Sequence, residues 1–187
     1  MVTLLYKART NGVVCRRIAE ASKCHVRAIC DKTLPDRISG TLIRWDSRYE
    51  VEADDTINSV QSVILSRNKS QSRTSLAGLC PPTWFNIADL HFPCILRPRR
   101  HYGGRHFFVC RNRDEASWAR RICGRGWYAS PIIDKAAEYR VFLLQGRVVG
   151  VSRKYPHDPS DLAWNAHQGG HSVRLRRESW PDITQSL

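Results

Sequence analysis

Acidic residues are scarce in this chain. Only 17 Asp and Glu stand against 30 Lys and Arg among 187 residues, a formal net charge of +13. That balance implies nucleic acid, an acidic peptide or a solvated basic surface. Long apolar runs are also missing: no stretch of eighteen occurs, so no segment reads as a transmembrane helix. Met1 to Tyr6 is too short, and too soon followed by Lys7 and Arg9, to read as a secretory leader, so the expected setting is cytoplasmic, with no membrane partner. No CxxC pair exists. The seven cysteines are scattered, several within apolar strands, and read as reduced small hydrophobes; a zinc site from Cys24, His25 and Cys30 would lack the paired short spacings such sites use.

The hydrophobic content of 42% excludes wholesale disorder, and the length suits one moderate domain or two small ones. Val2 to Tyr6 reads as a strand, followed by a turn at Thr10-Asn11-Gly12 and a helix in which Val13, Val14, Ile18 and Ala21 recur at helical spacing. This is a Rossmann-like opening, but G-x-G-x-x-G is absent, which removes the dinucleotide fingerprint. Val26–Ile29 and Thr41–Trp45 add two short strands, Ser47 to Asp55 is polar and acidic, and Val60, Val63 and Ile64 mark a short helix. Asn68 is placed to cap the next helix, running towards Gly78, with Lys69 near the amides of its first turn. The boundary between two parts falls near residue 67, giving segments 1–66 and 67–187.

The most regular stretch runs from Phe92 to Ser152. Phe92 to Pro98 reads as a buried strand closed by Arg97-Pro98. Arg99 to Arg105 is a basic tip whose Gly103-Gly104 pair lets backbone amides approach an anion. Phe107–Cys110 resumes a strand, Glu115–Ile122 reads as a helix, and Trp127–Ile133 as another strand. Two strands, Glu138–Leu144 and Arg147–Ser152, flank Gln145-Gly146, a two-residue hairpin signal. Nine arginines between Arg97 and Arg125 face only Asp114 and Glu115. His157, Asp158 and Asp161 read as solvated loop residues, and His167 and His171 as polar surface.

These motifs resemble the ATP-grasp superfamily, in particular small carboxylate-amine ligase-like proteins of phage genomes. Phe92 to Gly104 is similar to the family's phosphate-covering hairpin, and Glu138-Tyr139-Arg140-Val141 to Gly150 is similar to the hairpin that contacts ribose and phosphate. Asn68-Lys69 with Leu79 to Thr83, and Trp164-Asn165 with Gly169-Gly170, complete the likeness. It implies a Rossmann-like pre-ATP-grasp half-domain followed by an α+β ATP-grasp lobe with antiparallel sheet. It also implies ATP contacts from Lys69, Arg97, Gly103, Gly104, Ile132, Ile133, Glu138 and Lys154, a catalytic Arg140 and a substrate contact from Asn165.

The family's activity is joining a carboxylate, free or on an acidic peptide, to an amine through an acyl phosphate, with ATP and Mg2+. Two departures stand out. Ser130-Pro131 occupies the place of a glutamate common at the adenine hinge, and the family's C-terminal acidic strand and E-x-N motif for magnesium have no counterpart here. The lobe therefore reads as C-terminally incomplete, with little ligase turnover expected of this chain alone. An inactive nucleotide-binding relative and a basic nucleic-acid-binding protein on the same fold are the alternatives.

Overall fold

Strand β1 (Val2–Tyr6) is nearly all buried, and the chain lays its neighbours on either side of it in parallel. The computed structural model describes residues 1–7, 12–23, 25–101 and 106–182, and the described part divides into two units, Met1–Ser72 and Arg73–Leu187. In the first unit, β2 (Val26–Cys30), β3 (Arg37–Trp45) and β4 (Glu52–Ile57) join β1 in one parallel sheet of order β2-β1-β3-β4. Such a sheet needs cover on its faces. Leu4, Tyr6 and Cys15 pack on one side, and Leu5, Ile38 and Leu42 on the other.

Helix α1 (Gly12–Ala21) covers the first of these faces by Cys15, which is fully buried, whereas Val13, Val14 and Ile18 are exposed. The apolar spacing that marked the helix is thus not the side that packs. Small Cys15 lets the helix sit close to the sheet, and burial pushes its thiol up. Helix α2 (Val60–Arg67) starts on Ser59, whose hydroxyl accepts from the Ser62 amide, and buries Val60 and Val63. Buried Arg44 fixes the end of β3 by donating to the carbonyls of Tyr49 and Asn58 and to Glu50.

The polar segment after Ser47 conceals β4. Its Asp54 accepts from the Arg37 guanidinium at 2.9 Å and the Gly40 amide at 2.7 Å, so this acidic edge strand has side-chain bonds to β3 in addition to its ladder and the packing of Ala53 on the core. Helix α3 (Lys69–Ser75) is capped by Asn68, whose Oδ1 accepts from the Gln71 amide, and it ends at Ser75, short of Gly78. The division between the units falls within it.

The second unit holds two three-stranded antiparallel sheets. In one, β5 (Cys94–Pro98) lies between β6 (Phe108–Cys110) and β7 (Trp127–Pro131); in the other, β9 (Arg147–Tyr155) lies between β8 (Glu138–Leu144) and β10 (His171–Arg174). Strand β7 stops at Pro131, two residues before its expected end, because proline donates no ladder bond. Helix α4 (Arg113–Cys123) opens on Asn112, whose side chain accepts from the Glu115 amide at 2.9 Å, so it starts earlier than its apolar residues announce. Ala116 and Ala119 pack on Cys94, Leu96, Cys110 and Ala129.

Among the described residues all cysteines are free thiols, and burial raises those of Cys110 and Cys123 to about 11. They act as small hydrophobes; Cys24 lies outside the described residues. Gln145 and Gly146 both take positive φ, the geometry a tight hairpin demands, which places the turn where the sequence put it. No described helix is long and apolar enough to cross a membrane. A 3-10 turn covers Arg177–Ser179 near the end of the described residues.

Candidate nucleotide cleft

Strand alternation sends Cys94 and Leu96 into the core of the β5 sheet and turns Ile95 and Arg97 to the opposite face. On the second sheet, Glu138 of β8 stands directly across from Lys154 of β9. Between these surfaces lies a cleft of about 330 Å3, lined by Ile95 and Arg97, by Phe107, Ser130, Pro131 and Ile133, by Lys135, Glu138 and Lys154, and by Leu162 to Asn165, with Arg73 and Pro81 at its margin. It is a positively charged cleft: Arg73, Arg97, Lys135 and Lys154 face one carboxylate, Glu138.

That carboxylate is shared between two ammonium groups. Lys135 Nζ donates to one oxygen at 2.5 Å and Lys154 Nζ to the other. Burial pushes the Glu138 carboxyl up, but the two lysine bonds outweigh it and hold it below its ordinary value. Lys135 also lies 4.5 Å from the centre of the Trp164 ring, whose indole N–H donates to the Asp161 carbonyl at 2.8 Å. The loop from Asp158 thus carries an aromatic wall of the cleft. Its Asp158 and Asp161 side chains accept from amides of the same loop, which accounts for them structurally.

Arg97 presents the clearest electrostatic tension. Its guanidinium sits over the Phe107 ring at 5.3 Å, and its Nε is buried without a hydrogen-bond partner. Burial pushes its pKa below the ordinary value; Tyr128, its cross-strand neighbour, opposes this, and nearby Arg73 adds to it. Arg73 in turn lies 5.0 Å over the Tyr128 ring and donates to Thr83 Oγ1 at 3.4 Å, while the Tyr128 hydroxyl bonds His101 Nε2 at 2.8 Å. Two arginines held near each other, with no carboxylate between them among the described residues, suit an anion that bridges them.

The structure gathers Arg97, Ile133, Glu138, Lys154 and Asn165 around one cavity. Ile132 follows β7, beside the cavity wall. Arg140 is exposed on the same face of β8 as Glu138, two pairs further along, opposite Ser152, and is not among the lining residues. Lys69 belongs to the first unit, where its ammonium donates to the Ser66 carbonyl at 2.7 Å. Gly103 and Gly104, like Thr10 and Asn11, lie outside the described residues. Gly12 opens α1, where a Cβ would come within 3.1 Å of the Tyr6 ring.

Gly169-Gly170 has a packing role: a Cβ on Gly169 would meet the His157 ring at 2.9 Å, and one on Gly170 would meet the Tyr155 carbonyl at 2.9 Å. His171 stacks on Tyr155. Sequence reasoning overlooked Arg73 and Lys135. Arg73 sits on a polar helix without periodicity, but Lys135, three residues before Glu138, offered a readable charge pair. Among the described residues no group of three or more His, Cys, Asp and Glu is placed to hold a metal ion.

No family model and no curated protein sequence matches the chain. Solved structures do. It is similar to a RimK domain ATP-grasp protein from Sphaerobacter thermophilus, at 17% identity over 81% of this chain and 72% of that one, TM-score 0.51. It is also similar to D-alanine–D-alanine ligase from Bacillus anthracis, at 8% identity over 94% of this chain and 71% of that one, TM-score 0.61. An N5-carboxyaminoimidazole ribonucleotide synthetase, solved as its ADP complex, matches at 11% identity over 81% of this chain and 56% of that one, TM-score 0.50. The likeness is one of fold: this mixed α/β chain, with its parallel and antiparallel sheets, has the ATP-grasp fold.

Proposed function

We propose that this chain is an ATP-grasp ligase-like protein that binds ATP in the cleft between its two antiparallel sheets, in the service of joining a carboxylate to an amine through an acyl phosphate. The observation that carries the reading is the four cations around one carboxylate in that cleft, on a fold shared with ligases and with a synthetase solved as its ADP complex. Arg97 and Arg73 supply a bridging site for phosphate oxygens, each able to make two parallel donations to one group. Lys154 and Lys135, fixed by Glu138, add point charges whose positions are set before the anion arrives.

Each Glu138 oxygen retains lone pairs beyond those taken by the lysines, so ribose hydroxyls have an acceptor there. Phe107, Ile133 and Trp164 provide apolar surface for the base, while backbone near Ile132 and Ile133 supplies polar edges. Arg140, Gly103 and Gly104 keep the phosphate-side roles their motifs imply, and Asn165 a substrate contact.

The test is a nucleotide titration coupled to an ADP-release assay with panels of carboxylates and amines. ADP release that needs both co-substrates supports ligase action. Saturable ATP binding without it assigns the chain as a nucleotide-binding relative, and absence of saturable ATP binding overturns the reading.

A further inference from the structure

Outside the cleft, arginines stand in the last turn of α4, just after it, and just past the end of β5. Helix α4 has its acids, Asp114 and Glu115, in the first turn and Arg120 and Arg121 in the last. Glu115 is already engaged, accepting from the Arg111 amide at 2.8 Å and lying 3.8 Å from its guanidinium. Beyond the helix, Gly124 takes φ +70 and closes the final turn on the Arg120 and Arg121 carbonyls, after which Arg125 is exposed.

Arg99 is brought to the same place from β5. Its amide donates to the Gly126 carbonyl at 2.8 Å, and its side chain lies so close over Gly126 that a Cβ there would stand 2.4 Å from Arg99 Nε. The missing side chain at 126 makes the slot in which Arg99 lies. Arg99, Arg120, Arg121 and Arg125 have no carboxylate partner among the described residues, and the negative end of one helix offsets about half a charge. On the outer face of the same helix, Trp118 is 54% exposed, its ring held edge-on to Phe108 at 5.6 Å. Arg121 lies three residues on and Ile122 four, so they share its face.

We propose that this end of α4 is a docking surface for single-stranded nucleic acid, with phosphates on Arg99, Arg120, Arg121 and Arg125 and a base stacked on Trp118. Uncompensated arginines select a polyanion. The large exposed indole selects one with unpaired bases, because a duplex or an acidic peptide offers no free aromatic face to stack on it. None of these residues lines the nucleotide cleft, so the inference stands apart from the ATP reading.

The experiment is fluorescence anisotropy of a short labelled oligothymidylate with the full chain across a salt series. About four phosphate contacts predict a slope of log affinity against log salt near −3, since single strands contribute roughly −0.7 per contact. R120A/R121A/R125A should lower affinity more than tenfold and flatten the slope by about 2. G126A, which keeps every charge but displaces Arg99, should weaken binding severalfold. W118A should weaken it at every salt with the slope unchanged. Thermal melts of each variant check folding. Binding indifferent to the arginine variants, equal affinity for a duplex of the same length, or equally tight competition by polyglutamate would each overturn the proposal.

Discussion

Replacing Glu138 by glutamine keeps the side chain's size and removes its charge, leaving Lys135 and Lys154 facing each other across the cleft. The three side chains are 29%, 23% and 15% exposed, so water screens the cluster incompletely. A charge-assisted hydrogen bond contributes about 1.5–3 kcal/mol net. Glutamine still accepts one such bond through its carbonyl oxygen, so the expected loss is about 2 kcal/mol rather than the sum of two bonds.

The pH dependence is distinctive. The folded-state pKa of Glu138 is depressed below its ordinary value of 4.5, so the unfolded chain takes up the proton first. The stabilisation is complete at neutral pH, where the carboxyl is ionised in both states, and is lost as pH falls below 4.5 and through the folded pKa. Urea denaturation of wild type and E138Q, followed by tryptophan fluorescence at pH 7 and at pH near 3, measures the difference directly. A gap of about 2 kcal/mol at pH 7 that shrinks at low pH is the expected result. A gap below about 0.5 kcal/mol at pH 7, or one equal at both pH values, would refute the account of the lysine pair.

Three further perturbations test other parts of the structure. N112A removes the cap of α4 and should cost about 1 kcal/mol in chemical denaturation, with N112D tolerated. Y128F removes the hydroxyl bonded to His101 at a site 2% exposed and should cost about 1 kcal/mol, while Arg73 keeps a ring to stack on. R44A strands the carbonyls of Tyr49 and Asn58 beneath β3 and should destabilise the first unit by about 2–4 kcal/mol, visible as earlier amide exchange in β3.

The readable parts of the fold are those where local pattern and tertiary environment agree. The β8-β9 hairpin was legible because Gln145-Gly146 must turn there, and β5 because its apolar residues are buried. Strand β4 was hidden because its residues are mostly polar and acidic, and the ladder to β3 and the Arg37 partner of Asp54 are tertiary features that polarity along the chain does not reveal. Strand β10 was hidden as well: all four residues are exposed, and only its ladder to β9 makes it a strand. In α1 the spacing found the helix but not its packed side, since a buried cysteine weighs little beside three exposed aliphatics. In the cleft, Arg97, Glu138 and Lys154 were readable from motif context. Arg73 was not, because it reaches the cleft margin from a polar helix through Tyr128, a contact made only by the tertiary fold.

Isothermal calorimetry of ATP binding to wild type and R97A tests the central claim most directly. The partly buried Arg97 guanidinium lines the cleft with its Nε unpartnered, and a phosphate would offset the burial that lowers its pKa. Losing such a contact, at about 1.5–3 kcal/mol, predicts an affinity at least tenfold weaker in R97A, with melting confirming that the variant is folded. Equal affinity in a folded R97A, or no ATP binding by wild type at all, would contradict a nucleotide site in this cleft.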